Sequence, residues 1–205
     1  MGENTDTQVR AGVWLRPEQV DDLRSACYDV GAEYLQQRNE AIVALMYDTG
    51  VRVGELVALD VEHLRDGNTA LYMPTRIQKD YPTDSSPPPA TLDLASDVSR
   101  LLSSYLTNRW KDSPALFPSR SSSRITTQGV RDALRKVAIA AGVRPYLLDG
   151  SRGESGDVTP HALRHSVAYR MMNAEEGNEL YDVRNRLRHR SITTTEQVYD
   201  HIIRV

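Results

Sequence analysis

A mainly helical α+β domain with one small antiparallel sheet is what this sequence predicts, on three observations. Apolar residues recur at helical spacing through most of the chain, and residues that start or stop helices punctuate those stretches, among them Pro17, Gly50, Thr126, Gly142 and Pro160. Between about residues 70 and 94 the pattern changes to short extended runs separated by turn residues. The chain has 205 residues, 26% charged and 40% hydrophobic, which suits one globular domain with a real core.

Residues 1–12 read as a flexible arm, and residues 13–205 as the domain. The segment Trp14-Leu15-Arg16-Pro17-Glu18 opens a helix with proline in its first turn. Val20, Leu23 and Cys27 lie on one apolar face, and Gly31 breaks the helix. A second helix runs from about Ala32 to Asp48, turns Ile42, Leu45 and Met46 inward and stops at Gly50. A short helix follows through Glu55 to Leu59. Three strands are expected at Ala70–Met73, Arg76–Lys79 and Ala90–Leu94, with the Pro87-Pro88-Pro89 run among the turns between them. Helix resumes from Ser96 to about Trp110. Leu116-Phe117-Pro118 is an extended link, and residues 119–124 form a polar loop. Thr126 or Thr127 caps a helix that runs to Ala141. That helix sets Arg131, Arg135 and Lys136 opposite Val130, Leu134 and Val137, a pattern that suits a groove-lining helix or any solvated surface helix. Asp149–Asp157 is a Gly/Ser/charged loop, the segment expected to be most mobile.

Composition excludes several classes. No run of 18 apolar residues is present, and the polar start lacks the apolar stretch of a signal peptide, so no membrane role is expected. Cys27 is the only cysteine, which rules out an intramolecular disulfide and fits a cytoplasmic location. No Cys/His cluster with metal spacing and no glycine-rich phosphate loop is visible, so neither a metal nor a cofactor is expected. The net charge of −3 hides an uneven distribution. Residues 1–70 hold six Lys+Arg against thirteen Asp+Glu, whereas residues 100–145 hold nine against two. A basic strip on an acidic chain is an electrostatic footprint for phosphates, and equally the mark of a solvated basic helix.

The densest chemistry lies in the last fifth. Thr159 and Pro160 suit a helix start, and in His161-Ala162-Leu163-Arg164-His165 the i, i+3 spacing places His161 and Arg164 on one face. Leu187-Arg188-His189 follows, then Thr193-Thr194-Thr195 and Tyr199, a phenol ten residues beyond the imidazole. Forked guanidinium donors match the two non-bridging oxygens of a phosphodiester, and a phenol can attack its phosphorus. Far upstream stands Thr49-Gly50-Val51-Arg52-Val53-Gly54-Glu55-Leu56.

Together these boxes resemble the catalytic domain of the tyrosine recombinases, the phage-integrase family, over roughly residues 14 to 201. That family carries an arginine in a T-G-[LV]-R-x-x-E-L box, a lysine on a β-hairpin, H-x-L-R-H, a later L-G-H and a tyrosine near the C-terminus. The resemblance implies site-specific cleavage and rejoining of double-stranded DNA through a 3′-phosphotyrosyl intermediate, without a cofactor or a small-molecule substrate, by protomers that associate on DNA as dimers or tetramers. It casts Tyr199 as nucleophile, Arg52 and Arg164 as the phosphate clamp, and His189 as a further donor. His161 accepts the tyrosine proton or holds the attacking geometry, and Lys79 protonates the leaving 5′-oxygen. Glu55 supports Arg52, His165 packs as a structural histidine, and Arg124, Arg131, Arg135 and Lys136 are the candidate DNA contacts.

Blander readings stand beside these: Arg52 as a surface arginine paired with Glu55, Tyr199 as a core aromatic, and Lys79 as a surface lysine. A type IB topoisomerase uses a closely similar pocket, although a histidine at position 161 favours a recombinase. A non-enzymatic DNA-binding remnant is the rival of another class. Three departures from the family pattern stand out. Arg188 replaces the glycine usual before the histidine, the His189–Tyr199 spacing is one residue longer than usual, and only six residues follow Tyr199. The family's N-terminal DNA-clamping domain is also absent from this sequence, as in a catalytic fragment or a minimal version.

Overall fold

The computed structural model describes residues 12–78 and 87–199. Strand β1 (Val13–Trp14) leads into α1 (Pro17–Ala26), α2 (Glu33–Thr49) and α3 (Val53–Ala58). Strands β2 (Leu64–Arg65), β3 (Ala70–Met73) and β4 (Ala90–Asp93) follow, then α4 (Ser96–Asn108) and α5 (Thr127–Ala140). Strand β5 (Tyr146–Leu147) precedes α6 (Pro160–Asn173), α7 (Leu180–Leu187) and α8 (Ile192–Tyr199). The mainly helical α+β architecture expected from the sequence is present.

Helix α2 is the hub: it packs against α1, α4, α5 and α6. Ile42, Leu45 and Met46 face the main core with Val20, Leu23, Leu102, Val130 and Leu134. Cys27 sits at 0% exposure among them, and burial raises its thiol pKa to about 12, so it is an inert small hydrophobe. A second apolar cluster, of Trp14, Val167, Tyr169, Val183, Leu187 and Tyr199, lies where α6, α7 and α8 meet.

The expected caps form. The Thr126 hydroxyl accepts from the Gly129 amide at 3.0 Å, and Thr159 accepts from Ala162 at 3.1 Å ahead of Pro160 in the first turn. Gly50 ends α2 at φ 65°, in the left-handed region, and a Cβ there would collide with the Leu187 side chain. Glycine is therefore favoured twice over at this position, by backbone and by packing.

The three-stranded antiparallel sheet exists in the order β2-β3-β4, but with different membership. No strand forms at Arg76 to Gln78. Thr75–Ile77 is a 3-10 turn that follows Pro74, and the Gln78 side-chain amide donates to Met73 O at 3.0 Å and Pro88 O at 2.8 Å. The third strand is instead Leu64–Arg65, paired Leu64 to Leu71 and Arg65 to Ala70. Lys79 lies outside the described residues, as does most of the arm at 1–12. Trp14 is not helical: β1 pairs antiparallel with β5, and α1 starts at Pro17.

Candidate active site

The first side chains of the site stand where α2 turns into α3. Arg52 is the residue before the helix, and Glu55, three positions on, reaches back to it, with Oε2 accepting from the Arg52 amide at 2.8 Å. Its Oε1 accepts from Arg52 Nη1 at 3.0 Å. The R-x-x-E spacing thus both caps a short helix and aims a guanidinium. Glu55 is 2% exposed, so it is a buried carboxylate held by its partners.

Helix α6 supplies the next three. Arg164 is 3% exposed and donates to two backbone carbonyls, Gly50 O and Leu187 O. It therefore ties the end of α2 to the end of α7. His165, one position on, is buried with Nδ1 3.2 Å from Val13 O. His161, one turn earlier, is exposed, and its ring lies 4.1 Å from that of His165, edge to face.

The chain then folds back. Arg188 ends α7 in the left-handed region, φ 55° and ψ 47°, and its Nη2 donates to Glu55 Oε2 at 2.5 Å. His189 follows, with Nδ1 2.9 Å from Thr195 Oγ1. In α8, Thr195 and Tyr199 are four residues apart and share the inward face, both buried, while Thr193 and Thr194 are exposed. The Tyr199 ring stacks parallel to His189, 5.8 Å between centroids, and meets the edge of His165 at 5.7 Å. One site thus brings together Arg52, Arg164, His189 and Tyr199, from segments more than 100 residues apart, and His161 adjoins it through its ring contact with His165.

Its electrostatics are those of an under-neutralised cation cluster. Burial, and then Arg52 beside it, lowers the Arg164 pKa to about 9, because carbonyl partners carry no countercharge. Burial, and then Arg164, Arg52 and Arg188, drives His189 to about 3, so its ring is neutral at pH 7. Burial raises the Tyr199 phenol to about 12, although Arg164 and Arg52 pull it the other way. An uncompensated cation cluster of this kind suits an anion, and a protonated phenol in the same field would gain phenolate character once a base removed its proton.

The family model for the phage integrase family matches residues 13–204. This chain belongs to the phage integrase family. A tyrosine recombinase XerC of Herpetosiphon aurantiacus is 33% identical over 171 residues, covering 80% of this chain and 48% of that protein. The chain spans about half the length of the curated relatives it matches. The structure of XerA recombinase superposes with a TM-score of 0.70 at 23% identity, covering all of this chain and 64% of that one. XerH site-specific recombinase, bound to its difH substrate before cleavage, superposes with a TM-score of 0.67 at 17% identity, covering 96% of this chain and 52% of that one. At those identities the likeness shows the shared fold.

Beyond the pocket, the phage integrase domain sorts its candidate DNA contacts into two kinds. Arg131, Arg135 and Lys136 are exposed on α5, with Val130, Leu134 and Val137 buried beneath them, as expected. Arg124 is different. Its guanidinium donates to Val57 O at 2.7 Å, to Leu59 O at 2.9 Å and to Asp60, so it anchors the end of α3 while its side chain stays partly exposed. Among the described residues, Asp60, Glu62 and His63 bring ligand atoms within 4.8 Å of one another. Those donors are engaged: Asp60 with Arg124, and His63 Nδ1 with the Asp60 amide at 2.9 Å. Two supporting residues escaped the sequence reading. Ser166 Oγ accepts from Leu15 N at 2.7 Å, and Thr195 was visible only as one of three threonines.

Proposed function

We propose that this chain is the catalytic domain, residues 13–205, of a site-specific DNA recombinase that cuts and rejoins strands through a 3′-phosphotyrosyl intermediate. The observation that carries this reading is Arg164. A guanidinium 3% exposed, hydrogen-bonded to neutral carbonyls and facing Arg52 and the Tyr199 phenol, is a charge awaiting an anion beside a nucleophile. The Tyr199 oxygen attacks phosphorus, the tyrosine proton passes to His161, and the bond from phosphorus to the 5′-oxygen breaks. Arg52 and Arg164 carry the charge that builds on the non-bridging oxygens, and the neutral His189 contributes an N–H. Rejoining reverses these steps with a 5′-hydroxyl as attacker, so no phosphodiester energy is lost. Double-stranded DNA is the substrate, and protomers assemble on it. Incubation with a nicked suicide duplex, followed by peptide mapping, should place a DNA adduct on Tyr199. Absence of any adduct at a cognate site would overturn the reading.

Lys79 is proposed as the acid for the leaving oxygen. Such an acid is worth about 10²–10⁴-fold on an alkoxide and little on a thiolate leaving group. Lys79→Ala should therefore cut ordinary DNA slowly but a 5′-bridging phosphorothiolate at near the normal rate. Equal impairment on both would assign the proton to another group.

The exposed cations of α5 are proposed to follow the DNA backbone. Each phosphate contact contributes about 0.9 to the slope of log K against log salt. Arg131→Ala with Arg135→Ala should flatten that slope by up to about 2. A slope unchanged in an electrophoretic titration would take α5 off the DNA.

A further inference from the structure

The residue that departs from the family pattern sits at the left-handed end of α7, against Glu55. Arg188 occupies the left-handed region, which costs a non-glycine residue roughly 1–2 kcal/mol, and glycine could take it freely. Its side chain is nevertheless only 8% exposed and lies against Glu55, which is 2% exposed. Glu55 Oε2 accepts both Arg188 Nη2 at 2.5 Å and the Arg52 amide at 2.8 Å. The Arg52 guanidinium consequently meets Glu55 through one nitrogen, Nη1 to Oε1 at 3.0 Å. A carboxylate and a guanidinium left to themselves prefer the two-bond fork.

We infer that Arg188 is a positioning residue for strand cleavage: by sharing Glu55 Oε2 with the Arg52 amide it holds that carboxylate in the capping geometry, keeps it from turning to close as a fork on the Arg52 guanidinium, and so leaves Arg52 oriented toward the phosphate. The inference rests on the recombinase reading above. It explains why a strained backbone residue carries a long side chain turned inward. It also fits the charge balance. Glu55 is faced by Arg52 from its own helix, Arg164 from α6 and Arg188 from the end of α7, with His189 and Tyr199 beyond them. Burial pushes the Glu55 carboxyl up, but Arg188 and then Arg52 outweigh it, and the net pKa lies below the usual range. Removing Arg188 removes the largest of these opposing influences, so Glu55 should then protonate at higher pH.

The test is Arg188→Gly, which suits the backbone, with Arg188→Lys as the conservative variant. In single-turnover cleavage of the suicide duplex, Arg188→Gly should be about 10- to 100-fold slower, the range that a small misplacement of a reacting group produces. DNA affinity should change less than the rate. The acid limb of the pH profile should move to higher pH, and Arg188→Lys should recover part of the rate. Glu55→Gln should make the Arg188→Gly effect smaller, since both act through one carboxylate. A glycine variant as fast as the parent with the same pH profile would overturn the inference. A readout independent of cleavage is the Glu55 side-chain carboxyl carbon followed by NMR titration. Its pKa should rise in Arg188→Gly, and an unmoved value overturns the inference even if the chain never cleaves DNA. Absence of any adduct with the parent protein would instead sink the recombinase reading.

Discussion

Tyr199→Phe is expected to reduce covalent attachment to DNA by at least about 10⁴-fold, a loss typical of removing a nucleophile. The protein should remain folded and bound to DNA. The Tyr199 ring fills a position between His165 and His189 in the second apolar cluster, and phenylalanine fills it equally well. Losing one hydroxyl should change stability by about 1 kcal/mol or less. A melting curve and a gel shift alongside the suicide-duplex assay separate these effects. An adduct at full yield in the variant would reassign the nucleophile. The same experiment tests the nucleophile reading of this tyrosine, which is packed as a core aromatic with Arg164 and Arg52 acting on its phenol.

Arg164→Ala should be the most damaging of the clamp substitutions, because it strikes both chemistry and fold. Removing one preorganised donor from a developing oxyanion costs about 10²–10³-fold in rate. The guanidinium also satisfies the carbonyls of Gly50 and Leu187. Each buried carbonyl left without a partner costs about 1–3 kcal/mol. Relief of a poorly neutralised buried charge offsets part of this, so a net loss of roughly 2–4 kcal/mol is expected. Arg164→Lys keeps the charge but cannot bridge both carbonyls and present a fork, so cleavage should still fall at least about tenfold. Denaturant titration with single-turnover kinetics checks both effects. Cleavage by Arg164→Ala within threefold of the parent would remove it from the clamp.

The sequence was most legible where function and local structure use the same residues. Arg52 and Glu55 are three apart because that spacing caps α3, and Thr159 and Pro160 start α6 one turn from its arginine. Illegible were features made by distant partners. The two-residue strands β1, β2 and β5 are too short to show any period, and pairing across the fold makes them. Arg76 looked extended beside β3, but Pro74 and Gln78 close a turn there instead. Arg124 counted toward a basic strip, yet its partners at Val57, Leu59 and Asp60 lie more than 60 residues away. Net charge in a window says nothing about which guanidinium is already engaged. The Arg188 departure was visible, but its meaning required Glu55, 133 residues distant, to be seen against it.

The pairing of β1 carries a mechanical consequence. Val13 O touches His165 and Leu15 N donates to Ser166, so two successive residues of α6 are fastened to β1 and the residue after it. Trp14 between them stacks on Tyr146 and Tyr169, 6.2 and 6.4 Å between centroids. The chain therefore enters the domain bolted to the helix that bears His161 and Arg164. A displacement of Val13 or Leu15 therefore acts on that helix through a single contact each, with no intervening segment of chain to absorb it.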